Sequence, residues 1–193
     1  MNIPARILAF AGSARRDSHN KKLVKLAAAG AQTAGAEVTL LDLRDFPMPI
    51  YDGDLEDREG VPAKALALRR IMLAHQGLLI ASPEYNSSIS PLLKNTIDWL
   101  SRPVDGEPGL LPFRDKVAAL MAASPGALGG LRGLVHLRAI LGNIGVIVLP
   151  TQVAIGKAHE AFDARGTLVD PQQAAAIEAL GVNVATIVAK LQA

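Results

Sequence analysis

Five short apolar runs constrain what this chain can fold into more than any other feature. They are RILAFAG (6–12), EVTLLDL (37–43), GLLIAS (77–82), KVAALMAAS (116–124) and GVIVLP (145–150). They read as strands that are apolar throughout rather than alternating, which predicts burial on both faces and a parallel sheet covered by helices. The segments between them supply the helices. Ser18 to Ala34 places Leu23, Leu26, Ala27, Gly30 and Ala34 at helical spacing, with small residues that let it lie close on a sheet. Pro62 opens a helix to about Ala74, and Ser90 caps one whose first residue is Pro91 and which runs to about Leu100. A further helix spans about Leu131 to Leu141. Ile177, Leu180, Val184, Ile187 and Leu191 mark an amphipathic C-terminal helix. Residues 47–62, PMPIYDGDLEDREGVP, have no periodicity and read as a long loop, the kind that often serves as a functional flap.

Strand and helix therefore alternate five times. Five strands in one domain over residues 1–193 predict an α/β, flavodoxin-like three-layer sandwich. Its parallel sheet would have the order 2-1-3-4-5, in preference to a six-stranded dinucleotide fold. In such sheets ligands bind beyond the carboxyl ends of the strands, where the strand order reverses. Three polar loops reach that edge, at 12–20, 82–90 and 124–130.

The residue inventory narrows the chemistry. The chain has no cysteine, which excludes disulfides, thiolate catalysis and Cys-based metal sites. Twenty basic residues balance eighteen acidic ones without a concentrated basic stripe, which argues against a nucleic-acid partner. The N-terminus does not read as a signal peptide, and no apolar run approaches the ~18 residues of a membrane span. A cytoplasmic location is the expectation. The four histidines, 19, 75, 136 and 159, are scattered without metal-ligand spacing.

The first loop, GSARRDSHN, stands where a strand hands over to a helix, whose free N–H groups and positive dipole end attract anions. Ser13, Ser18 and Asn20 add neutral donors, and Arg15 and Arg16 add charge-assisted ones. Glycine is missing from Ser13 to Lys21, so neither a Walker loop nor a G-x-G-x-x-G turn is present, and a terminal monophosphate fits better than a pyrophosphate. The plainer alternative is that Ser18 only caps the helix and the arginines are solvated. In the second loop, SPEYNSSISP, prolines restrict both ends, Tyr85 offers a flat face and the backbone from Pro83 to Asn86 can meet the edge of a planar heterocycle. Tyr85 as a surface aromatic and Glu84 as a solvated charge are the alternatives. The third loop, SPGALGG, permits close backbone approach at Gly126 and Gly129, or needs its glycines only to turn.

Together, GSARRDSHN and SPEYNSSISPLLKNTIDWLSRP resemble the NADPH-dependent FMN reductase family of flavodoxin-like proteins, which includes bacterial quinone, chromate and azo-compound reductases. The resemblance runs from residue 6 to about 130, with Ser87 standing where the family commonly has glycine. It implies that Ser13, Arg15, Ser18 and Asn20 hold the FMN phosphate. It implies that Pro83, Glu84, Tyr85 and Asn86 line the isoalloxazine, and that Ser124 and Gly126 close the other side. NAD(P)H would be the co-substrate and a small molecule the electron acceptor, with ping-pong kinetics and no obligatory side-chain acid or base. Lys94, Asn95, Asp98 and Trp99 are implied to be structural or at a subunit contact in a homodimer or homotetramer, Trp99 in the core, with the 47–62 loop reaching towards a neighbour. Three other readings stay open. One is an electron-carrier module without its own NAD(P)H oxidation. Another is a dinucleotide domain with Asp42 on a ribose. The third is a flavin-binding scaffold without turnover.

Overall fold

The computed structural model describes residues 4–192. In chain order its elements are β1 Arg6–Ala11, α1 His19–Thr33, β2 Glu37–Asp42, α2 Gly53–Glu59, α3 Ala63–Leu73, β3 Gly77–Ala81, β4 Glu84–Tyr85 and β5 Ser88–Ile89. They continue with α4 Pro91–Leu100, β6 Val117–Ala123, α5 Leu131–Asn143, β7 Ile147–Ile155, α6 Ala158–Ala161 and α7 Pro171–Leu191. The five apolar runs form one parallel sheet in the order β2-β1-β3-β6-β7, which is the expected 2-1-3-4-5 in terms of those runs.

The two-residue side-chain period of a strand divides the core into two layers. Ile7, Ala9, Leu79, Ala81, Ala119 and Met121 join α1 and α7 on one face. Leu8, Phe10, Leu78, Ile80 and Leu120 join α3, α4 and α5 on the other. Small residues also bring α1 and α7 together. A Cβ at Gly30 would lie 2.1 Å from the Glu178 carbonyl oxygen, and one at Gly181 1.8 Å from that of Ala27. The small positions of α1 thus serve its neighbour helix as well as the sheet.

Four features depart from the sequence reading. The 47–62 segment is not a free flap, because α2 forms inside it. Asp52 accepts Asp54 N at 3.0 Å as its cap and Gly60 ends it at φ 74°. None of its residues is buried, so no apolar period announces it. The segment is also pinned to its own α4. The Pro49 carbonyl accepts bonds from Asn95 Nδ2 and Trp99 Nε1, both 2.8 Å, and Asn95 Oδ1 accepts Tyr51 N at 2.8 Å. Second, β7 continues through Pro150 to Ile155. It is an edge strand with an irregular register between Ala118 and Leu120 of β6, where a missing N–H is tolerated. Arg138 donates to the carbonyls of Leu149 and Pro150 at that point. Third, the second polar loop contains a two-strand hairpin, β4 with β5. Fourth, α7 is long and apolar enough to cross a membrane by length and composition, although Glu178 and Lys190 interrupt it. In this fold Ile177, Leu180, Val184 and Val188 are buried against α1 and the sheet.

Candidate functional site

The three polar loops meet beyond the carboxyl ends of β1, β3 and β6. Gly12 N donates to Ala81 O at 2.9 Å, and Ser82 N donates to Met121 O at 2.9 Å, so hydrogen bonding continues past the strands and sets the loops side by side. Ser90 Oγ ties two of them together: it donates to Gly12 O at 2.6 Å and accepts Leu93 N at 3.2 Å as the cap of α4. Between the loops lies a cavity of about 120 Å³. Ser13, Arg15, Ser18 and Asn20 line it from the first loop, Pro83, Glu84 and Tyr85 from the second, and Ser124 from the third. Asn86 and Gly126 do not line it; they stand in the adjoining turns. The volume is below the ~300 Å³ of a typical ligand cleft, so a nucleotide-sized ligand would be enclosed only in part.

The first loop leaves only part of its polar set unspent: Ser13 Oγ accepts Arg15 N at 3.3 Å, whereas Ser18 and Arg15 keep their side chains free. Ser18 is the N-cap of α1, in extended conformation and only 6% exposed, yet its hydroxyl makes no cap bond. Asp52, Ser90 and Asp170 cap α2, α4 and α7, the helices that follow them. The plain-cap alternative for Ser18 is thereby removed, and the first N–H groups of α1 stay available. The Arg15 side chain has no hydrogen-bond or ion-pair partner among the described residues. Asn20 is committed differently. Its Nδ2 donates to Ala123 O at 2.9 Å and its Oδ1 accepts Ala123 N at 3.0 Å, locking α1 to the end of β6 and leaving one N–H for anything else. Arg16 turns away from this cavity and lines a different one.

The second loop spends its polar groups internally. Asn86 at φ 50° and Ser87 at φ 68° are the two centre residues of the β4–β5 hairpin, the left-handed pair of a type I′ turn. The Glu84 carboxylate accepts Arg132 Nε at 3.0 Å, Arg132 Nη2 at 2.6 Å and Gly133 N at 3.0 Å. It therefore caps α5, whose own N-cap, Gly130, has no side chain. Burial alone would raise the Glu84 pKa. The Gly133 and Arg132 bonds outweigh it and hold the carboxyl below its ordinary range. Ser88 Oγ lies 2.9 Å from His136 Nδ1, a second bond between hairpin and α5. Tyr85 is 55% exposed at the cavity rim.

The third loop divides. Gly129 needs its φ of 62°, and a Cβ there would meet the Ile155 carbonyl carbon at 2.6 Å. At Gly126 a Cβ would meet only Ser124 Oγ at 3.8 Å, so packing within this chain does not require glycine there.

His19 also lines the cavity, as its place in the first loop allows, rather than standing solvated beside the cap. Its ring stacks on Phe162 at 5.5 Å, a residue distant in sequence, and its Nδ1 is buried without a partner. Burial first, then the charges of Lys22, Arg15 and His159, push the imidazole below its ordinary pKa, which keeps it neutral at neutral pH. Asp42 is not free for a ribose. It accepts Lys21 Nζ at 2.6 Å and Arg44 N at 3.0 Å.

The sequence model of the NADPH-dependent FMN reductase family matches residues 5–160. An NAD(P)H-dependent FMN reductase of Pseudomonas aeruginosa is 36% identical over 171 residues, 88% of each chain. A quinone reductase of Escherichia coli is 34% identical over 153 residues, covering 77% of this chain and 76% of its own. Among solved structures, the flavoenzyme NAD(P)H:(acceptor) oxidoreductase FerB of Paracoccus denitrificans superposes with a TM-score of 0.78 at 26% identity, over 97% of this chain and 98% of its own.

Proposed function

The chain belongs to the NADPH-dependent FMN reductase family, and from that premise we propose that it is an NAD(P)H-dependent oxidoreductase whose FMN is held in the three-loop cavity. The observation that carries this reading is the unspent first turn of α1: an uncapped helix start, a free Ser18 hydroxyl and an unpaired Arg15 converging on one small cavity. That donor set suits a dianionic phosphate. The orphaned His19 Nδ1 and the room at Gly126 also fit a ligand larger than phosphate.

Bound FMN supplies hydride acceptance from NAD(P)H and onward electron transfer to an acceptor. The protein's part is to bind and orient. Ser13, Ser18, Arg15 and the N–H groups of α1 would hold the phosphate, while Asn20 fixes α1 in place against β6. The hairpin from Glu84 to Ile89, fixed to α5 through Glu84 and Ser88, would hold the ring from one side and Ser124 from the other, with the turn at Gly126 adjoining. The exposed Tyr85 marks the open rim, where nicotinamide and acceptor would come in turn. Quinones, flavins, azo compounds and metal oxyanions are the acceptor classes, and a single shared face makes the kinetics ping-pong.

Residues 1–193 act as a single FMN-binding domain in this reading, working in the cytoplasm as a homodimer or homotetramer. Leu128, Leu131 and Val135, exposed near and along α5, support the assembly. The test is NADPH oxidation by the purified protein with FMN and a quinone, and no protein partner. Turnover with parallel double-reciprocal lines is the expected result. Bound flavin without turnover would overturn the enzyme reading, and intersecting lines the ping-pong order.

A further inference from the structure

A larger cavity, about 690 Å³, lies on the other side of the first loop. Ser18 is the one residue that lines both this cleft and the three-loop cavity. Its walls are the N-terminal half of α1, the outer part of β2 from Leu40 to Asp42, and the turn at 164–166. The charge in it is lopsided: Arg16, Lys21, Lys22, Lys25 and Arg165 face two carboxylates, Asp17 and Asp42. Lys21 already neutralises Asp42 at 2.6 Å, and Arg165 pairs with Asp163 at 3.3 Å, which leaves Arg16, Lys22 and Lys25 as the excess cations beside Asp17. Arg16 and Lys25 have no partner among the described residues.

The cations are not simply spread on a convex face. The turn that closes the cleft is built: Asp163 Oδ1 accepts Arg165 N and Thr167 N, both 2.9 Å, and Phe162 pairs with Leu168 across it. Lys22 is held between that turn and α1, with its ammonium 5.5 Å from the Phe162 ring centre and its stem against Gly166. Leu26, Leu40 and Leu41 add apolar surface between the charges, and Leu40 is 51% exposed. Low-dielectric walls of this kind concentrate the field of the charges they surround. A volume within the ~300–1,000 Å³ range of ligand clefts exceeds what a lone phosphate needs.

We propose that this cleft is a second anion site, separate from the flavin cavity, that takes a phosphorylated nucleotide with its phosphates on the lysines and arginine and its base on the leucines. The nucleotide has two possible sources: the adenosine phosphate end of NADPH, which rests on the function proposed above, or an independent nucleotide, which does not.

The experiment titrates adenosine 2′,5′-bisphosphate into protein saturated with FMN, so that the flavin cavity is filled, and follows binding by calorimetry. Wild type should bind at one saturable site that weakens as salt rises. Arg16→Gln/Lys25→Gln, which removes two exposed, unpaired cations, should weaken binding about tenfold or more with FMN affinity unchanged. Absence of saturable binding in wild type, or equal affinity in the variant, overturns the proposal. If the variant also raises KM for NADPH but not for NADH, the co-substrate is the source. If KM is unchanged while nucleotide binding is weakened, an independent nucleotide is. Retained FMN binding with lost bisphosphate binding separates failure of this site from failure of the flavin assignment.

Discussion

The first and second loops face each other across one cavity, and they manage their polar groups in opposite ways. At 12–20 Ser13 and Asn20 are bonded into the protein, but the Ser18 hydroxyl and the Arg15 side chain have no partner among the described residues. At 82–90 Glu84, Ser88 and Ser90 are bonded into the protein, and two adjacent residues are held at positive φ. Unsatisfied donors are tolerable where solvent or a ligand completes them. A strained turn persists only where its surroundings over-determine it. In the proposed flavin site the contrast gives grip to one loop and shape to the other.

The sharpest way to break that division is Arg15→Ala. It should cost FMN binding about 1.5–3 kcal/mol, roughly 10- to 150-fold in Kd, with thermal stability of the flavin-free protein unchanged. Undiminished FMN affinity would remove Arg15 from the grip. Next in size is a pair of serine caps. Ser90→Ala should cost about 1–2 kcal/mol in chemical denaturation, because its hydroxyl both caps α4 and holds Gly12. Ser18→Ala should stay within about 0.5 kcal/mol in the flavin-free protein. Equal losses at the two sites would show that the first loop also spends its hydroxyls internally.

A third test uses acid. Glu84 has a folded pKa depressed below its ordinary 4.5, and its side chain is 8% exposed. Its contribution is present above the unfolded pKa and is lost as pH falls through the folded one. Glu84→Gln should therefore be about 1 kcal/mol less stable than wild type at neutral pH, with the gap closing below about pH 4.5. A gap independent of pH would place the effect in packing rather than charge. After the uncapped Ser18, the smallest expected change is Ser87→Gly, which relieves a left-handed serine at φ 68° and should gain ~0.5–1 kcal/mol in thermal melts. A loss would mean that the Ser87 side chain holds the turn.

What the sequence made legible follows the same division. The sheet order could be read because buried parallel strands carry their signal locally, in runs such as GLLIA. That Ser13, Arg15 and Ser18 come to one cavity could be read because they sit within ten residues at a single strand–helix junction. The supporting contacts could not. Glu84 caps α5 through Arg132 and Gly133, nearly fifty residues away, and nothing in PEYN indicates it. His19 finds Phe162, and the cleft beside it gathers α1, β2 and the turn at 164–166, only once the chain has folded. Neighbours in sequence also part company: Arg15 and Arg16 look alike in the motif and serve different cavities. Helix α2, exposed and without apolar period, and β7, running on past Pro150, were hidden for lack of the local signals that announced the rest.

The proposed phosphate grip at the start of α1 is reached directly by one comparison: fluorescence titration of the flavin-free protein with FMN and, in parallel, with riboflavin, which has the same ring system and no phosphate. The account predicts saturable FMN binding and riboflavin binding weaker by a hundredfold or more, on the order of two charge-assisted bonds. Equal affinity for the two flavins would contradict it.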